Sequence, residues 1–200
     1  LQGHYRTLAE DPCLFYASTF FNWGEGAGAS LSHPHYQIVT LPIIPPRIRQ
    51  SLEGSKAYFA KHKKCVHCAL LRYEEKAKKR IITKNAHAVA LAPYASRQPF
   101  SVNIFPRMHH SYFEATPREK MLAIVTLLQG TLRSIKKRLY DPDLNFFIHT
   151  APLKEKKEYR HYHWHIEIIP KLTRTAGFEV DTGVDINVVD PDEAARIVRS

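Results

Sequence analysis

Apolar and polar positions along the chain separate into short alternating or aromatic runs and a few stretches with a helical period. Cys13 to Asn22 (CLFYASTFFN) and His35 to Leu41 (HYQIVTL) read as strands, being rich in aromatic and β-branched residues, and a glycine-rich turn joins them. The first residues, from Leu1, are expected to run straight into a strand-like segment. Pro42, Pro45 and Pro46 close the extended run, and Arg47 to Lys61 is expected to be helical. Arg80 to Thr83, Ala86 to Ala92 and Phe100 to Phe105 alternate or run apolar as a meander of strands should. The strongest helix opens at Thr116-Pro117-Arg118-Glu119, read as an N-cap, a first-turn proline and a capping-box glutamate. Met121, Leu122, Val125, Leu128, Leu132, Ile135 and Leu139 supply its apolar face, and it ends before Asp141-Pro142. Two more strands follow, Leu144 to Thr150 and His161 to Ile169, then a short terminal helix from Asp190-Pro191.

The segments FFNWGEGAGASLSHPHYQIVTLP and FFIHTAPLKEKKEYRHYHWHIEIIP share an order of aromatic strand, turn-forming loop, histidine strand and proline. Laying Pro42 on Pro170 sets His33, His35 and Gln37 over His161, His163 and His165. The pattern predicts a duplicated unit, with only the end of its first copy in residues 1–56 and a full second copy in residues 57–200. The start at Leu1 rather than Met reads as a native N-terminus lying further upstream.

With 44% apolar residues, 200 residues are enough for a substantial core. No apolar run reaches the roughly 20 residues of a membrane span, and nothing reads as a signal peptide, so no membrane partner is expected and the cytoplasm is the expected location. The net charge of +10 suits an anionic partner. Much of that charge lies in Lys61 to Lys64, Lys76 to Arg80 and Lys136 to Arg138, without interleaved aromatics, so solvated faces are expected rather than a nucleic-acid groove. Cys13 stands alone, while Cys65 and Cys68 form a CxxC that suits metal binding better than thioredoxin-like redox chemistry, because no strand-to-helix junction is expected there and twelve histidines are available as co-ligands.

Residues two apart in a strand share a face, so His33, His35 and Gln37 form one row and His161, His163, His165 and Glu167 another. His4, His62, His67 and His87 are expected to be ordinary structural histidines. Backbone amides of the glycine turn, with donors from Asn22 and Ser30, would hold phosphate oxygens without a Cβ clash. A neutral imidazole held by one ring nitrogen could attack phosphorus with the other, while Gln37 hydrogen-bonds the phosphoryl oxygens. No GxxxxGK[ST] is present, which disfavours P-loop chemistry.

The run from Asn22 to Gln37, with CVHC, PRMHHS, FIHTAPLK, HWHIEIIPKLT and AGFEVDTGVDIN, resembles the galactose-1-phosphate uridylyltransferase branch of the histidine triad superfamily over nearly the whole chain. The resemblance implies an α+β histidine triad fold, an antiparallel sheet with packed helices, and a homodimer. It implies His35 as nucleophile, Gln37 as phosphate stabiliser, and Asn22, Gly28 and Ser30 along the nucleotide. His33 matches a ligand of a first metal site whose other ligands lie outside this sequence. Cys65, Cys68, His109 and His163 match a closed structural zinc site, with His110 and His165 as the rival ligands. Gly177 and Phe178 match the C-terminal substrate loop, and glycine there, where uridylyltransferases carry lysine, is closer to the ADP-glucose phosphorylase subgroup. The implied reaction moves a nucleotide between a nucleotide sugar and a sugar 1-phosphate, or inorganic phosphate as acceptor; a nucleotide-binding module without catalysis is the competing class.

Overall fold

The computed structural model describes residues 1–199. One seven-stranded antiparallel sheet carries the molecule: β1 (Tyr16–Trp23), β2 (Tyr36–Leu41), β3 (Ile81–Lys84), β4 (Ala88–Leu91), β5 (Val102–Pro106), β6 (Leu144–His149) and β7 (His165–Pro170), in the order β2-β1-β6-β7-β5-β4-β3. Among the described residues six α-helices accompany it: α1 (Gln2–Leu8), α2 (Pro46–His62), α3 (Val66–Ala77), α4 (Arg118–Arg138), α5 (Gly177–Thr182) and α6 (Pro191–Arg199). The α+β antiparallel architecture agrees with the sequence reading. The two strands assigned to the first unit join the second through β1 and β6, so a single sheet runs across the expected boundary at residue 56.

One face of the sheet holds the main core. Ala17, Ile104, Phe146, Ile148, Ile166 and Ile168 pack there against Ile124, Leu128 and Ile135 of α4 and Ala195 and Val198 of α6. A buried ion pair ties α6 and α3 to the edge of β3, with Arg80 reaching Glu74 at 2.8 Å and Asp192 at 2.7 Å.

Several local expectations are corrected. The chain opens with α1 rather than a strand; Tyr5 is fully buried and its hydroxyl meets Thr19 Oγ1 at 2.9 Å, so tertiary packing decides the conformation of this short segment. Thr116 makes no cap. The N-cap of α4 is Pro117, and the Thr116 hydroxyl instead accepts from Trp164 Nε1 at 2.9 Å. Helix α4 turns most of the expected face inward, with Leu128 and Ile135 buried and Met121, Leu132 and Leu139 packed against the core, but the buried stripe also takes in Ile124, Leu127 and Thr131 and leaves Leu122 and Val125 exposed. Helix α3 was not foreseen. It begins at the CxxC itself, with Cys65 as N-cap and helix α2 ahead of it, so the thiols do stand at a helix N-terminus. Residues 161–163 precede β7 instead of forming its start.

The two hairpins correct the alignment of the internal echo. Phe20 faces Gln37 across β1 and β2, and Phe147 faces Glu167 across β6 and β7. Tyr36 and Ile38 lean on the core side, as do Ile166 and Ile168, so Gln37 and Glu167 point to the opposite, open face. Gln37 therefore corresponds to Glu167, His35 to His165 and His33 to His163, two residues further along than the proline-on-proline alignment. His161 has no place in the row; it is buried, with Nε2 3.1 Å from the Leu52 carbonyl.

Candidate functional site

Strand β2 starts at Tyr36, leaving His33 and His35 in the bend ahead of it. His33 is exposed and His35 half-buried. His35 Nδ1 lies 2.8 Å from the His33 backbone carbonyl. A carbonyl can only accept, so Nδ1 carries the proton and Nε2 is left with a bare lone pair. Gln37 follows two residues on, inside β2 and opposite Phe20. A nucleophile with its tautomer fixed and an amide beside it is a geometry suited to attack on phosphorus.

The glycine turn behaves differently from the expectation. Ala27 and Ala29 N–H donate to the Gly24 carbonyl, Gly28 N–H donates to Glu25, and Gly26 N–H donates to Asp143 Oδ2 at 2.6 Å. These four amides are spent inside the protein and form no empty cradle. The glycines serve another purpose: Gly24 has φ +83°, and a Cβ there would lie 1.7 Å from Asp143 Oδ1. Gly28, at φ +81°, closes the same turn in the left-handed region. Asn145 adds a second tie, donating from Nδ2 to the Ala27 carbonyl and to Asn22 Oδ1, each at 2.8 Å. A cavity of about 690 Å³ opens beside the turn, lined by Asn22, Trp23, Ser30, Ser32, Pro34 and Asp143. Asn22 and Ser30 therefore lie where a ligand could meet them, while His35, Gln37, Gly28, Gly177 and Phe178 do not line it. Asp143 and Asn145 were missed in the sequence because DPDLN reads as a helix stop followed by a strand, with nothing local to mark a contact with a turn more than a hundred residues earlier.

The second hairpin meets a larger cluster. Cys65, Cys68, His109 and His163 bring one ligand atom each to within 4.8 Å of one another. Nδ1 of His109 and Nδ1 of His163 both lie 3.5 Å from Cys68 Sγ. His109 Nε2 donates to the Arg160 carbonyl at 2.8 Å, which turns its Nδ1 lone pair toward the sulfurs. His163 is fully buried and its Nε2 has no protein partner. The hydrogen bond from Cys68 draws the Cys65 thiol well down against its burial, and contacts with His109 and His163 lower it further; the same sulfur pair and burial push Cys68 up. The Cys65 thiolate in turn raises His109. Two sulfurs and two imidazole nitrogens converging without a fifth donor fit a tetrahedral metal ion held in a closed structural site. His110 and His165 stand outside this group, as does His33.

Beside it, His165 repeats the posture of His35, with Nδ1 3.1 Å from the His163 carbonyl. Its ring stacks on His149, which in turn lies 2.7 Å from Glu167 Oε2. Burial drives His165 well below the ordinary histidine range, and the neighbouring rings of His149 and His67 add to the effect. Burial alone would raise Glu167, but the His149 hydrogen bond and the charges of Arg97 and Arg47 leave it below its ordinary value. His67, expected to be a satisfied structural histidine, is packed among Phe105, Tyr162 and His165 with both ring nitrogens unpartnered. A cavity of about 530 Å³ lies over this face, with His149, His165, Glu167, Arg47, Arg97 and Lys171 on its walls. Helix α5 borders that cavity through Glu179 and, just past its end, Gly183, while Phe178 points to solvent. Among the described residues no helix is long and apolar enough to cross a membrane.

Known proteins are similar to this chain in sequence and fold. The ADP-glucose phosphorylase of Arabidopsis thaliana is 38% identical over 193 residues, which cover 96% of this chain and 54% of that protein. The galactose-1-phosphate uridylyltransferase of Thermotoga maritima is 31% identical over 202 residues, 97% of this chain and 63% of its own length. A crystal structure of the Arabidopsis thaliana ADP-glucose phosphorylase with bound ADP-glucose superposes with a TM-score of 0.92 at 36% identity, covering 100% of this chain and 63% of that one. A uridylyltransferase structure gives 0.90 at 31% identity, over 99% of this chain and 64% of that chain. The chain thus spans between about half and two thirds of the length of these relatives. A family model described as a domain of unknown function, DUF4921, matches residues 4–200. From the shared fold and these matches, the chain belongs to the DUF4921 family and is galactose-1-phosphate uridylyltransferase-like.

Proposed function

We propose that the chain carries the nucleophilic half of a nucleotidyltransferase that works through a nucleotidyl-histidine. The observation that supports this most is the 2.8 Å contact of His35 Nδ1 with the His33 carbonyl, which leaves Nε2 free to attack. Nε2 forms a bond to the α-phosphorus of a nucleotide sugar as the bond to the bridging oxygen breaks, releasing sugar 1-phosphate. An oxygen of a second phosphate then attacks the same phosphorus and the P–N bond breaks, returning His35 to its starting state. Gln37 Nε2 donates to the non-bridging oxygens as charge gathers there. Asn22 and Ser30 bind the phosphates, and Gly177 and Phe178 act at the sugar end.

The Cys65, Cys68, His109 and His163 set takes zinc in this reading, for which the mixed sulfur and nitrogen donors are suited. The zinc would tie the start of α3 to the segment before β7, with a structural and not a catalytic role. The partner set is a nucleotide sugar with a sugar 1-phosphate; the phosphorylase reading, with inorganic phosphate as acceptor, is favoured by Gly177 where the transferases carry lysine. A homodimer in the cytoplasm, and division into residues 1–56 and 57–200, complete the proposal. Incubation of the native polypeptide with α-labelled UDP-glucose and ADP-glucose tests it. Acid-labile label on His35, lost in His35→Ala, is expected; no label from either donor would overturn it.

A further inference from the structure

We infer that Asn145 is a positioning residue for nucleotide binding, acting through Asn22; this rests on the nucleotidyl-transfer reading above. Asn145 sits opposite Asn22 in the pairing of β6 with β1 and is 6% exposed. Its side chain faces the Ala27 carbonyl at 2.8 Å, and a carbonyl only accepts, so the group presented there is the amide nitrogen. The second hydrogen of that nitrogen points at Asn22, at 2.8 Å, which therefore shows it Oδ1. The Asn22 amide nitrogen is thereby turned outward. Within the protein it reaches only the Gly28 carbonyl, at a long 3.4 Å, and Asn22 lines the 690 Å³ cavity beside the turn.

This orientation matters because of what the turn itself does not offer. The amides of Gly26, Ala27, Gly28 and Ala29 are already donated within the protein, and the Asp143 carboxylate occupies the place of an anion beside Gly24 and Gly26. The wall of this cavity carries the side-chain donors Asn22, Trp23, Ser30 and Ser32 together with the carboxylates of Glu25, Asp141 and Asp143, so a phosphate there depends on which end of the Asn22 amide faces it. An Asn22 free to rotate would present Oδ1 for part of the time and repel the phosphate. One buried amide on β6 thus decides whether the neighbouring strand offers a donor or an acceptor.

The test is a double-mutant cycle on the native, metal-loaded polypeptide, titrated calorimetrically with ADP and with UDP. Asn145→Leu removes both hydrogen bonds at similar volume and is expected to weaken nucleotide binding about tenfold. In an Asn22→Ala background the same change should cost almost nothing in affinity, while its effect on thermal stability persists. Asn145→Ser keeps one donor and should fall between wild type and Asn145→Leu, which gives a second reading should the leucine variant fold poorly. Equal losses of affinity in both backgrounds, or none in either, would overturn the role of Asn145 while leaving nucleotide binding intact. A wild-type protein that binds neither nucleotide would overturn the functional reading and this inference together.

Discussion

In the hairpin of β1 and β2, His35 is half-buried, its Nε2 is free and its neighbour on the open face is the neutral Gln37. In the hairpin of β6 and β7, His165 holds the same pose against the His163 carbonyl but is buried beneath Phe105 and His149, with Glu167 in place of the glutamine. On the proposed reading, backbone geometry alone does not make a nucleophile. Access and the charge of the residue two positions on decide it, since a carboxylate beside the ring repels an incoming phosphate and an amide does not. The second hairpin turns the same frame to structural use, with His163 in the Cys65, Cys68 and His109 cluster and Glu167 paired to His149.

The comparison breaks most sharply at the two equivalent histidines. His35→Ala should cut nucleotidyl transfer by roughly 10⁴-fold or more, as loss of a covalent nucleophile does, with little change in thermal stability. His165→Ala should do the reverse, lowering the melting temperature while His35 still takes up label. Next in size, Cys68→Ser should remove bound metal, measured by elemental analysis, and cost about 3–5 kcal/mol of stability by denaturant unfolding, within the range for lost structural cross-links and metals. The same treatment of His33 should leave the metal content of the Cys65 cluster unchanged. Gly24→Ala should cost about 2–3 kcal/mol through a strained positive φ and the displaced Asp143, and Asp143→Ala in the same chain should relieve the steric part.

The smallest effect is one of pH. The folded protein holds Glu167 below its ordinary value, so its contribution is present above the unfolded carboxylate pKa, near 4.3, and fades as pH falls through the folded value. Glu167→Gln should flatten the acid limb of the stability profile over that window. Gln37→Ala should leave it as it is.

How far the sequence foretold this differs by element. The strands were legible because their faces are one-sided: Phe146 and Ile148 alternate with Asn145 and Phe147, and the pattern survives any error of a residue at the ends. Helix α3 was not, because its first turn is spent on the cysteines and its buried positions include Glu74, a charged residue that only the tertiary pairing with Arg80 makes tolerable. The Cys65, Cys68, His109 and His163 set was accessible as a motif, but the choice of His163 depends on where β7 begins, and the histidines spaced by two before it suggested a longer strand. The lock on the glycine turn was out of reach, since it joins Gly24 and Ala27 to Asp143 and Asn145 across the sheet.

The pairing of β1 with β6 brings together segments more than a hundred residues apart. Closing so long a loop carries an entropic penalty, and the approach of Cys68 to His163 closes one almost as long. The glycine turn and the metal-ligand residues therefore both depend on contacts between distant parts of the chain, and neither can be built by a short local segment alone.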